Sequence, residues 1–112
     1  MLWAIHCLDA PGTAELRAAQ RPAHSARLNA TPVRPVLYGP LVAADGTTAV
    51  GSLIVVEAAS REQVEEFALA DPFAVSGVWE RVDIQAFAPS QRSPVRLAEE
   101  AARAARAPEG RP

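Results

Sequence analysis

Residues 2–8, Leu-Trp-Ala-Ile-His-Cys-Leu, are apolar at every position but His6 and are closed by Asp9-Ala10-Pro11-Gly12. A short apolar run ending in turn residues predicts a strand. From Thr13 the chain turns to Ala, Glu, Leu, Arg and Gln, and Leu16, Ala19, Ala23, Ala26 and Ala30 recur at helical spacing. This predicts a first helix from Thr13 to near Ala30, its small-residue face turned inward so that it approaches a sheet closely. Pro22 lacks an N–H and crowds the preceding turn, so a kink or restart is expected near Arg21.

Pro32 and Pro35 end the helix, and Val36 to Val42 reads as an edge strand, irregular at Gly39-Pro40 because proline donates nothing to a ladder. Ala44-Asp45-Gly46-Thr47 carries an Asp-Gly turn signal and Val50 to Ala58 is the strongest β run, so residues 36–58 are predicted to form a hairpin. Ser60-Arg61-Glu62-Gln63 matches a capping box, and Val64, Phe67 and Ala68 give the second helix its apolar face. That helix ends near Ala70, since Pro72 disfavours helical geometry at Asp71. Residues 78–88 alternate, Val82, Ile84, Ala86 and Ala88 against Arg81, Asp83 and Gln85, as in a half-buried strand. The order β-α-β-β-α-β is met most simply by an antiparallel split-βαβ sheet with both helices on one face, the α+β, ferredoxin-like class.

Residues 1–89 form that domain. Residues 90–112 hold only Val95 and Leu97 as larger apolar side chains among Ala, Arg, Glu and Pro, and read as a polar C-terminal tail in which 97–107 is a frayed helix or disordered. Ala accounts for 24 of the 112 residues, so two Ala-rich helices cover less apolar sheet surface than the strands provide. A second subunit packed sheet to sheet, a homodimer, is the economical solution.

The formal net charge of −2, with no cluster of basic residues, argues against nucleic acid as a partner. All 11 basic residues are Arg, which removes Schiff-base lysine chemistry and leaves guanidinium groups suited to carboxylates. Cys7 is the single cysteine and sits in an apolar run, so it reads as a buried structural thiol in preference to a nucleophile. The N-terminus lacks a basic leader and reads as a strand, no apolar run approaches the ~20 residues that span a bilayer, and the protein is expected in the cytoplasm. Two His and four Asp are dispersed without ligand spacing and no glycine-rich loop suits a nucleotide, so neither metal nor cofactor is expected.

His24 borders the sheet side of the first helix, either as a hydrogen-bonded structural histidine or as a general acid/base. Asp71 precedes Pro72, where a carboxylate either satisfies free turn N–H groups or pairs with an imidazole. Such a pairing fixes the ring's tautomer and stabilises its protonated form. Arg17 and Arg21 either bind an anionic substrate group or lie solvated on the helix. Ser52 is either a pocket hydrogen-bonder or a strand serine after Gly51, and Tyr38 is a further polar candidate.

Asp9-Ala10-Pro11, Arg17, Arg21-Pro22-Ala23-His24, Leu28, Gly39-Pro40-Leu41, Gly51-Ser52-Leu53, Asp71-Pro72-Phe73 and Gly77-Val78 occur in the order that resembles the YciI-like, or YCII-related, family, from Met1 to about Pro89. The resemblance implies the dimeric α+β barrel superfamily, in which two ferredoxin-like subunits pack sheet against sheet. It implies a His-Asp pair at His24 and Asp71, and proton-transfer chemistry of lyase or isomerase type, such as dehydrochlorination, on a small polar cyclic or aromatic substrate. That activity draws on an additional early histidine. His6 either supplies it or is a strand histidine in the subunit interface. The Ala43–Ala49 loop is shorter than is common in the family, which implies a reduced pocket wall. The competing reading is a non-catalytic dimeric module that binds a small molecule or a partner protein.

Overall fold

The strand β1 (Leu2–Asp9) is apolar on both faces: Trp3, Ile5 and Cys7 enter the core under the helices, while Leu2 packs on the opposite side. The computed structural model describes residues 1–29 and 32–97. Over these, β1 is followed by α1 (Ala14–Arg27), β2 (Arg34–Val42), β3 (Ala49–Glu57), α2 (Arg61–Leu69), α3 (Pro72–Val75) and β4 (Trp79–Phe87). The sheet order is β2-β3-β1-β4 with every neighbouring pair antiparallel, the α+β, ferredoxin-like arrangement that the periodicity predicts. β1 therefore lies at the centre, with Cys7 opposite Ser52 on one side and Val82 on the other.

The core on the helix side joins Trp3 and Ile5 to Ile54 and Val56 of β3, Val64 and Phe67 of α2, Phe73 of α3, Trp79 of β4, and Leu28 just beyond α1. Gly51 brings β3 against β1: a Cβ there would stand 2.2 Å from the Cys7 carbonyl oxygen. In the β2–β3 turn Gly46 takes φ +78°, and Asp45 Oδ1 accepts from the Thr47 and Thr48 backbone N–H groups at 2.9 Å each. Ser60 caps α2 by accepting from Gln63 N–H at 3.3 Å, as its capping box predicts.

Four local expectations are corrected. The alanine face of α1 points to solvent, and α1 buries none of its residues. Arg17, Gln20, His24 and Arg27 share the spacing of the alanines on another stripe, and the contacts of Arg17, His24 and Arg27 with acidic and polar groups of the sheet and the α3 cap turn that stripe inward. Pro22 leaves α1 unbroken, because it lies on the exposed side, where the lost bond to the Ala18 carbonyl falls to water. A one-turn helix, α3, follows α2 where a turn was expected: Pro72 is its first residue and Asp71 its N-cap, accepting from Phe73 N–H at 2.9 Å. Leu97, assigned to the solvated tail, is instead 7% exposed and packs with Leu2 and Val55, beside Val36, on the sheet face away from the helices. The rest of the 97–107 segment lies outside the described residues.

Candidate active site

α1 delivers its polar stripe onto the ends of β1 and β3. Arg17 Nη1 donates to both oxygens of Asp9 at 2.8 Å, and its Nη2 donates to the Gly51 carbonyl at 3.0 Å and to Ser52 Oγ at 2.9 Å. The guanidinium also lies over the Phe73 ring, 4.6 Å from its centroid. Ser52 Oγ accepts a second bond from Trp79 Nε1 at 3.3 Å, which leaves its own O–H free to donate.

Two turns on, His24 Nδ1 lies 2.9 and 2.8 Å from the two oxygens of Asp71. A carboxylate only accepts, so Nδ1 carries the proton and Nε2 holds the lone pair of the neutral ring. The Asp71 side chain is wholly buried and that of His24 is 11% exposed. The imidazole stacks on Phe73, centroids 4.2 Å apart and planes 17° from parallel, and meets Trp79 edge-on at 6.1 Å. Asp71 also faces Arg27 Nη1 at 3.5 Å, and that guanidinium covers the Phe67 ring at 4.7 Å. Burial pushes the Cys7 thiol up to about 12, with the Asp71 carboxylate the next largest cause, so it stays protonated at neutral pH.

Between α1 and the β2–β3 hairpin lies a cavity of about 550 Å³. Arg17, Arg21, His24, Ser52 and Tyr38 all line it, with Leu28, Ile54 and Phe73 as its apolar part and Thr47 and Thr48 from the hairpin turn. Five of the side chains singled out in the sequence thus meet at one cavity, and Asp71 stands behind His24. His6 does not join them: it is exposed on the sheet face opposite the helices, between Ile5 and Cys7, whose side chains point into the helix-side core. Strand alternation carries it away from the cavity. Phe73, Trp79 and Arg27 were not singled out as site residues. Only Phe73 left a trace, as the third residue of Asp71-Pro72-Phe73. Among the described residues no cluster of His, Cys, Asp and Glu could hold a metal ion, and no helix is long and apolar enough to cross a membrane.

The YCII-related domain matches residues 1–88 of this chain. The protein belongs to the YCII-related family. Protein YciI of Escherichia coli O6:H1 is 34% identical over 94 residues, covering 78% of this chain and 96% of that protein, and Protein YciI of Shigella flexneri matches to the same extent. Among solved structures, the chain is similar to 5-chloro-2-hydroxyhydroquinone dehydrochlorinase (TftG) from Burkholderia phenoliruptrix AC1100, in complex with 2,5-dihydroxybenzoquinone. The TM-score is 0.69 at 26% identity, covering 81% of this chain and 97% of that one. The fold thus extends across the YCII-related domain to an enzyme that acts on a small substituted ring.

Proposed function

We propose that this YCII-related protein is a small-molecule enzyme in which His24 and Asp71 transfer a proton on a small polar cyclic or aromatic substrate, in a lyase- or isomerase-type reaction. One observation carries the reading: His24 Nδ1 is fixed on both oxygens of a wholly buried carboxylate while the same ring lines a cavity. In the proposed step Nε2 takes a proton from a substrate carbon, and the C–H electron pair stays on the substrate. That pair either expels a leaving group, as in a dehydrochlorination, or is reprotonated elsewhere on the ring. Asp71 stabilises the imidazolium formed, and the Ser52 O–H, polarised by Arg17, donates to an oxygen that gains charge. The likeness to a dehydrochlorinase supports this class of chemistry.

The enzyme is further proposed to be a cytoplasmic homodimer formed by sheet-to-sheet packing. Leu8, Leu37 and Phe87 remain exposed, and the free thiol of Cys7 suits a reducing compartment. Light scattering is expected to give about 24 kDa, twice the chain mass of 11.9 kDa.

The test of the activity is chloride release from 5-chloro-2-hydroxyhydroquinone, together with solvent deuterium uptake by a panel of cyclic ketones and phenols. Wild type should catalyse at least one of these, and His24→Gln should slow it by about 10²-fold or more. A wild-type protein that binds members of the panel without exchanging or eliminating would instead be a binding module.

A further inference from the structure

α1 carries three arginines, and two of them are neutralised where they stand. Arg17 is held by Asp9 at 2.8 Å and Arg27 faces Asp71 at 3.5 Å. Arg21, between them, lines the cavity, and among the described residues it has neither a carboxylate nor a hydrogen-bond partner. No acidic side chain lines the cavity. The nearest acid in the facing hairpin turn, Asp45, is bound by the Thr47 and Thr48 N–H groups and the Thr48 hydroxyl and is not part of the lining. The ion pairs of Arg17 and Arg27 cancel locally, so the charge left facing the cavity is that of Arg21.

We propose that the site takes a small organic monoanion, and that Arg21 binds its oxyanion, a carboxylate, enolate or phenolate, through the planar fork of the guanidinium. The ligand's ring lies on the apolar part of the cavity beside Phe73, within reach of His24. This names the substrate class of the site proposed above and rests on that reading for the ring's position at His24. The cavity volume admits a single six-membered ring with its substituents. Its hydroxyl groups, from Ser25, Tyr38, Thr47, Thr48 and Ser52, serve oxygen substituents on that ring. An apolar or cationic ring would make no use of the unpaired charge that Arg21 holds at the cavity wall.

Calorimetric titration with benzoate and benzamide, rings of equal size that differ in charge, tests this on the full-length protein. Wild type should bind benzoate at least tenfold more tightly than benzamide. Arg21→Gln should bring the two within twofold by weakening benzoate alone, and Arg21→Lys should retain part of the preference as a point charge. Arg21 is an exposed helix position, so these variants keep the fold. His24→Gln should keep the preference, because the anion is held by Arg21 and not by the proton-transfer group. Equal affinity in wild type, no binding of either probe at millimolar concentration, or a preference that survives Arg21→Gln overturns the proposal. An Arg21-dependent preference in a protein that transfers no proton would overturn the enzymatic reading and leave the anion site standing.

Discussion

Arg27 and Asp71 face each other at 3.5 Å, the carboxylate wholly buried and the guanidinium three-quarters so, although the sequence singled out Asp71 alone of the two. Among the described residues the buried Arg27 Nη1 makes no hydrogen bond, so it meets Asp71 as an ion pair only. The carboxylate therefore serves a histidine, an arginine and the first turn of α3 together.

Asp71→Asn divides these roles. An amide can still cap α3 and accept from His24 Nδ1, but it cannot offset Arg27, so a buried cation loses its anion. Unfolding in urea should show a loss of about 2–4 kcal/mol, where a solvated turn residue would cost almost nothing. Ring-nitrogen NMR of neutral His24 should show the Nδ1–H tautomer in the wild type and a mixed population in the variant, whose amide can also donate to the ring. A pure Nε2–H tautomer in the wild type would contradict the geometry.

Gly51→Ala would set a methyl group against backbone. With its Cβ 2.2 Å from the Cys7 carbonyl oxygen, β3 and β1 must separate. A loss of about 2–3 kcal/mol is expected, in the range of overpacked cores. Arg17 should loosen as well, because it holds both the Gly51 carbonyl and Ser52. A melting temperature within 2 °C of wild type, roughly 0.5 kcal/mol or less, would count against this close approach.

Cys7 sets an upper pH limit. Its thiol ionises at about 12 in the folded chain against 9.0 when free, so unfolding releases its proton more readily as pH rises. The associated stability is complete below pH 9 and lost between pH 9 and about pH 12. Folded protein at pH 8 should resist iodoacetamide for hours and react promptly in guanidinium. Rapid alkylation of the native form would show that the thiol is open to solvent.

Leu97→Ala reports on the face away from the helices. Leu97 packs there with Leu2 and Val55, and truncation should cost about 2 kcal/mol, the low end for a buried leucine in a small cluster. An unchanged urea midpoint would mean that this contact adds nothing to the fold.

The strands were legible because burial on the sheet writes itself into the chain with period 2, as at Val82 and Ile84, and because Asp45-Gly46 and Ser60 to Gln63 carry local turn and cap chemistry. His24 and Asp71 were legible as a pair only through the family pattern, for a separation of 47 positions conceals a contact of 2.8 Å. The inward face of α1 was misread because hydrophobic periodicity assumes that apolar side chains turn inward. Here Arg17, His24 and Arg27 turn inward and the alanines do not, since buried carboxylates reward arginine and histidine more than a sheet rewards methyl groups. Leu97 was misread for the opposite reason: one leucine in a polar stretch has no periodicity to announce it.

Because α1 is fastened to the rest of the molecule by the same side chains that line the cavity, its attachment and its chemistry cannot drift apart. A substitution at Arg17 or His24 alters selectivity and adhesion at one stroke, whereas the outer alanines can change without touching either. Mutational tolerance along this helix should therefore follow a helical stripe, and diversification of what the cavity binds is channelled to Arg21 and the hairpin turn at Thr47 and Thr48, parts of the wall that do not fasten the helix.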